Sequence, residues 1–178
     1  MLKPFTFTQA LCFFLISQTL CVQAQTNPVV FPSRKEPWVN DFANVIDSGD
    51  KETIESLCGE IQNEGLATIV VCTMESIPQA KNEDEKVLSY GADLFDLWKL
   101  PKEGVLILIS TKDRKTAICT GQLAQRLLPD SDAGKILRKY LLPKFKKRAY
   151  GRGCIAGITQ ARKTMLKNRQ AESRDKNR

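Results

Sequence analysis

The sequence predicts an α/β protein, a three-layer α/β/α sandwich around a small mixed central sheet. Three observations carry the expectation. Leu66–Met74 and Gly104–Ser110 are short, β-branched apolar runs of the kind that form strands buried on both faces. Segments with apolar residues at helical spacing alternate with them, which calls for helices packed over a sheet. Lys115–Thr120 follows the second run after a four-residue turn, so one antiparallel hairpin joins the set.

The elements follow in order. A first helix opens at Ser48, with Asp50 and Glu52 placed in its first turn where the helix dipole favours acids. Its stripe is Ile54, Leu57, Cys58 and Ile61, and Gly65 closes it. Asn82 and Glu85 resemble a capping box for a second helix. Its stripe runs Val87, Gly91, Leu94, Phe95 and Trp98, and Pro101 stops it. After the hairpin, Gly121 breaks the strand. A helix from about Asp132 to Leu142 is expected to end before Pro143, and a last one to run from about Arg152 to Lys167.

The ends of the chain read differently. Lys3, the mostly apolar stretch Leu11–Val22 and Val22-Gln23-Ala24 have the layout of a secretory signal peptide cleaved near Ala24. The alternative is an uncleaved anchor, although the run is short for a membrane span. On this reading residues 1–24 are signal peptide and 25–37 a Pro-bearing extended leader. Residues 38–167 form the α/β/α domain, and 168–178 a disordered charged tail. The mature protein is expected to be exported, periplasmic or extracellular, without a transmembrane span.

Composition narrows the chemistry. The 178 residues are 42% hydrophobic and 26% charged, an ordinary globular balance. There is no histidine, which removes Ser-His-Asp and Cys-His catalysis and imidazole-ligated zinc. Cys12 and Cys21 fall in the signal, leaving Cys58, Cys72, Cys119 and Cys154 as buried thiols or as disulfide partners. Their spacing resembles no zinc knuckle.

The net charge of +7 is unevenly placed. Residues 25–103 hold 7 basic and 15 acidic side chains, and residues 104–178 hold 19 basic and 5 acidic. No acid lies between Asp132 and Glu172, where there are twelve Lys or Arg. Such a half suits an anionic partner, or else packs against the acidic half and is neutralised there. Nucleic acid is not expected, because the aromatic–basic interleaving of single-strand binders is missing.

Four ordered segments carry a family resemblance. They are Val39-Asn-Asp41-Phe-Ala43-Asn-Val45; Trp98 with Gly104-Val-Leu106-Ile-Leu108; Arg114 with Ile118 and Gly121; and Asp130-Ser-Asp-Ala133-Gly-Lys-Ile136, continuing to Pro143-Lys-Phe145 and Tyr150-Gly151. Together they resemble the TPM domain, or TPM-phosphatase, family over roughly residues 37–167. The resemblance implies an exported or lumenal α/β/α domain. Plant thylakoid members are described as calcium-binding acid phosphatases that assist photosystem repair, an animal member as a receptor auxiliary subunit. Members typically carry Asp-Asn-Gly before the central strand, where this chain has Lys102-Glu103-Gly104. They carry Gly-aromatic-Gly-Leu-Glu after the hairpin, where it has Gly121-Gln122-Leu123-Ala124-Gln125. With two acids replaced by Lys102 and Gln125, any calcium site is expected to be weak.

The remaining candidates each have two readings. Asp41, Glu103, Asp130 and Asp132 are candidate metal ligands, with Asp41, Asp130 and Arg114 also candidate catalytic groups. Asp41 is otherwise a turn carboxylate, Glu103 a solvated charge, and Asp130 or Asp132 an N-cap. Arg114 would grip a phosphate bidentately or simply be solvated. Lys144, Lys146, Lys147, Arg148 and Arg152 form the densest basic cluster, suited to an envelope protein or an anionic lipid surface. Phe145 and Tyr150 within it are expected to pack on the sheet side. Two functions follow: a non-catalytic binding or assembly module of the cell envelope, or a divalent-cation-dependent phosphatase-like hydrolase.

Overall fold

The computed structural model describes residues 30–78 and 83–176. The signal-peptide reading, cleavage near Ala24 and the Asn82–Glu85 capping box lie outside the described residues or their described side chains. The elements run β1 (Val39–Asp41), α1 (Ser48–Asn63), β2 (Thr68–Met74), α2 (Glu83–Leu97), β3 (Gly104–Ser110) and β4 (Lys115–Thr120). Then follow α3 (Ala124–Leu127), α4 (Asp130–Ile136), a π segment (Leu137–Leu141), α5 (Leu142–Phe145) and α6 (Tyr150–Lys176). The sheet order is β1-β2-β3-β4, the first three strands parallel and β4 antiparallel to β3.

Alternation within the strands builds two cores. Ile69, Val71, Val105, Ile107 and Ile109 face α1 and α6, which present Ile54, Cys58, Ile61, Cys154, Ile158 and Met165. The other faces of β2 and β3, with Val70, Cys72, Leu106 and Leu108, meet Val87, Tyr90, Leu94 and Trp98 of the α2 layer. This is the expected three-layer sandwich, and β3, fully buried, lies inside the sheet. The α1 and α2 crossovers step the same way across the sheet but cover opposite faces. They are therefore of opposite hand, and one departs from the right-handed rule. The departure is what covers both faces of so small a sheet.

Local chemistry sets the boundaries. Asp47 caps α1, its carboxylate accepting from the Asp50 N–H at 2.8 Å. Gly65, at φ 63°, ends that helix in a Schellman turn, with Leu66 N–H on the Ile61 carbonyl at 3.1 Å and Gly65 N–H on Gln62 at 2.9 Å. At the end of α2, Lys99 takes the same left-handed position at φ 50°. The described part of the leader, from residue 30, is pinned by two contacts. Phe31 stacks on Tyr90 at 4.6 Å, and Trp98 Nε1 donates to the Pro32 carbonyl at 2.8 Å.

Three expectations are corrected. The helix after the hairpin does not stop before Pro143, because the chain widens into the π segment, where the Leu142 N–H reaches back to Leu137. Wider turns accommodate the missing donor and the ring of proline. Neither Asp130 nor Asp132 is an N-cap; both sit in the first turn of α4 behind Pro129, complementing the dipole. The tail, expected to be disordered from Asn168, is helical to Lys176. Polar contacts hold it: Asn168 Nδ2 donates to the Leu127 carbonyl, and Arg169 Nη1 to that of Glu64, both at 2.9 Å. Carbonyls left open at helix ends thus extend a helix already nucleated by its apolar stripe.

Candidate functional site

Strand register decides which candidates meet. Asp41 pairs with Thr73 at the carboxyl end of the parallel strands, and Ser110 leads there into the turn that holds Arg114. Glu103 precedes β3 at its amino end, where the Glu103 carbonyl accepts from Thr68. Asp130 belongs to this end too, its carboxylate accepting from Thr120 Oγ1 at 3.3 Å. Seven residues of β3 separate the two ends, roughly 20 Å at the strand rise. The four carboxylates expected around one cation are therefore divided, with Asp41 and Arg114 at one end and Glu103, Asp130 and Asp132 towards the other.

Each end has its own chemistry. The Asp41 carboxylate accepts from Val45 N–H at 3.0 Å, Ile46 N–H at 2.9 Å and the Thr73 hydroxyl. That makes it the anchor of the β1–α1 loop, its lone pairs committed to donors. Asp113, which the sequence reading passed over, does the same at the hairpin: it accepts from Ile77 N–H at 2.7 Å and from the buried Ser110 hydroxyl at 2.5 Å. A serine ending a strand and an acid three residues on, in the turn, were the available signal. Arg114 is exposed in that turn at φ 53°.

At the amino end an open cleft of about 360 Å³ lies between α2 and β4, lined by Phe95, Asp96, Lys102, Cys119, Gly121 and Gln122 among others. The Lys102 carbonyl accepts from Leu123 at 2.9 Å and Ala124 at 3.1 Å, so the loops bearing Lys102 and Gln125 abut. A Cβ on Gly121 would stand 2.4 Å from that carbonyl oxygen, which explains the glycine. Asp132 is held by Lys135 at 2.8 Å, and the pairing keeps its carboxyl below the usual range.

Calcium asks for six to eight oxygens, several of them anionic. Among the described residues no three Asp, Glu, Cys or His side chains gather as ligands. The amino end sets an ammonium, Lys102, beside its cleft, and Asp41 is filled by protein donors. The residues present do not fit the cation that the family resemblance implies.

The basic cluster is a different case. Lys144, Lys146, Lys147, Arg148 and Arg152 are all exposed, and Arg138 and Lys139 on the π segment extend them to seven. The long acid-free stretch was the signal that would have included these two. None of the seven makes an ion pair with a described residue. Part of the charge has a local role: α5 ends in a Schellman turn with Arg148 at φ 57°, where cations complement the carbonyl end. Phe145 is buried and meets the half-buried Tyr150 at 5.3 Å, as expected of packing residues.

Neutralisation occurs elsewhere. Arg162 on α6 donates to Glu60 at 2.7 Å and to Glu64 at 3.0 Å, and the pair holds the Glu64 carboxyl below its ordinary value. α6 packs against α1 and also against the π segment and α5. Glu60 and Glu64 are thus matched by Arg162, while the Asp50 carboxylate of α1 lies against Gly151, beside Arg152.

All four cysteines beyond the N-terminal segment are free thiols, three buried and Cys119 half-buried at the cleft. Burial pushes the Cys58 and Cys72 thiols up to about 12 and Cys119 up to about 11, which disfavours their thiolate forms at neutral pH. No helix among the described residues is long and apolar enough to cross a membrane.

Comparison with known proteins agrees with this fold. The solution structure of the N-terminal domain of a P. gingivalis protein superposes with a TM-score of 0.63 at 20% identity, covering 71% of this chain and 80% of its own. The N-terminal domain of a Corynebacterium glutamicum protein gives 0.58 at 12% identity, over 77% and 86%. A protein from the psychrophilic bacterium Bizionia argentinensis gives 0.53 at 18%, over 69% and 83%. A search of curated proteins finds no match. The family model described as the TPM domain spans residues 39–164, from β1 well into α6, and on that match the chain belongs to the TPM domain family.

Proposed function

We propose that this TPM domain is an exported, non-catalytic binding module whose basic flank docks it on an anionic partner in the cell envelope. The observation that carries the reading is the unequal fate of its cations. Arg162, Arg126, Lys135 and Lys112 all have carboxylate partners, while the seven on the π segment, α5 and the start of α6 have none among the described residues. Uncompensated charge at one place attracts and orients an oppositely charged surface. Each cation contributes on the order of 1 kcal/mol near an anionic membrane surface, so seven make a useful total.

The hydrolase alternative would need its cation, its water and its phosphate-binding Arg114 at one place. Arg114 and Asp41 stand about a strand length, roughly 20 Å, from Glu103 and Asp130. The test is paired. The full chain should not hydrolyse p-nitrophenyl phosphate with or without calcium, and should associate with isolated envelope in a salt-sensitive way. Turnover that Asp130→Asn abolishes would return the protein to the hydrolase class.

A further inference from the structure

We propose that the partner of the basic flank is an anionic lipid headgroup layer, with Tyr140 set among the cations at headgroup depth. The inference rests on the docking reading above and names its partner. Tyr140 is 37% exposed on the π segment, and Lys139, Pro143 and Lys144 beside it are exposed as well. A tyrosine with an apolar ring and a polar tip suits the boundary between headgroups and acyl chains. One interfacial aromatic is a weak anchor, and electrostatic attraction is the second signal that makes peripheral binding stable.

Three features favour lipid over the other anionic partners. Four of the seven cations are lysines, a residue depleted from protein–protein interfaces but well suited to a diffuse headgroup field. From Ala133 to Ala171 there is no carboxylate, so this stretch brings no negative counterparts of its own to fix register against a structured protein. Neither the α2–β4 cleft nor the second one, which includes Phe31, Arg34 and Trp98, is lined by any of these cations. The exposed flank thus lies outside both clefts.

The experiment is vesicle co-sedimentation of the full chain, with phosphatidylcholine vesicles that contain or lack phosphatidylglycerol. Residues 1–29 are common to every variant, so the readout is the anionic-lipid-selective part of partitioning. Wild type should prefer the anionic vesicles, and Lys139→Glu/Lys144→Glu/Lys147→Glu should lose at least about a hundredfold of that preference. Tyr140→Ser should weaken partitioning several-fold with the salt dependence unchanged, and Tyr140→Trp should restore it; the thermal midpoint verifies that each variant is folded. Equal binding of Tyr140→Ser and wild type overturns the headgroup placement of Tyr140. Salt-sensitive binding to polyglutamate without vesicle selectivity overturns the lipid partner but leaves the docking reading standing. Binding to neither overturns both.

Discussion

The Thr73 hydroxyl donates to the Asp41 carboxylate across the β1–β2 pair, and the same carboxylate takes the amides of Val45 and Ile46. Asp41 therefore ties the first strand to the loop that launches α1. Asp41→Ala would leave two amides without acceptors, and hydrogen bonds to charged groups are worth about 1.5–3 kcal/mol. The expected loss is about 3 kcal/mol in urea unfolding, with Asp41→Asn about 1 kcal/mol because one acceptor survives. A neutral Asp41→Ala would assign the carboxylate to something other than the fold.

Calcium affinity is expected to be no tighter than millimolar, as for weakly charged extracellular sites, because the loops that abut at Lys102 and Gln125 carry no acid at those positions. Lys102→Asp with Gln125→Glu changes the local charge by −3 and should tighten binding. Calorimetry reads both results; micromolar affinity in the unaltered chain would contradict the fit argument.

The Arg162–Glu64 pair predicts an acid limb. Glu64 is more acidic in the folded chain than its ordinary 4.5, so its contribution is complete above 4.5 and falls away as pH drops through the depressed value. Glu64→Gln should flatten that part of the stability–pH curve, read by urea midpoints at stepped pH. It should leave the neutral-pH fold intact, because the pair is partly solvated.

The thiols predict an alkaline limb and an order of reactivity. Cys58 and Cys72 are raised from 9.0 to about 12 by burial, so the folded state holds protons that the unfolded state loses. Their stabilising effect is complete below 9.0 and disappears as pH rises towards 12. In native alkylation followed by peptide mass spectrometry, Cys119 at the cleft should react before Cys58, Cys72 and Cys154. Simultaneous modification of all four would mean that the cores open together.

Much of the fold was legible because its signals are local. The acids Asp50 and Glu52 after Ser48 and the closing Gly65 bracket α1, and Gly104–Ser110 is apolar enough to read as a buried strand from sequence alone. β1 was not, because Asn and Asp are poor strand formers and only three residues pair. What holds Asn40 is remote from β propensity: its buried side chain accepts from Lys35 and Glu36 and donates back to the Glu36 carbonyl. Pro143 misled because a stop in an α-helix is tolerated by a π turn, and the tail because Asn168 and Arg169 bond to carbonyls distant in sequence. The candidate ligands are divided for a related reason. Spacing along the chain does not reveal which end of β3 a residue occupies, and register placed Asp41 and Glu103 at opposite ends. The exposure of the basic flank was legible because a run of like charge without acids is a property of the sequence itself.

Envelope retention of a charge-reversed chain reads out the docking role of the basic flank. With Lys144, Lys146, Lys147 and Arg148 all changed to Glu, the local charge shifts by −8, and within a Debye length of about 8 Å attraction becomes repulsion. These side chains are exposed and unpaired among the described residues, so the fold should survive with a modest drop in thermal midpoint from the lost cations at the carbonyl end of α5. The variant should leave the envelope fraction for the soluble fraction while the wild type stays. A folded variant retained as well as the wild type would contradict it.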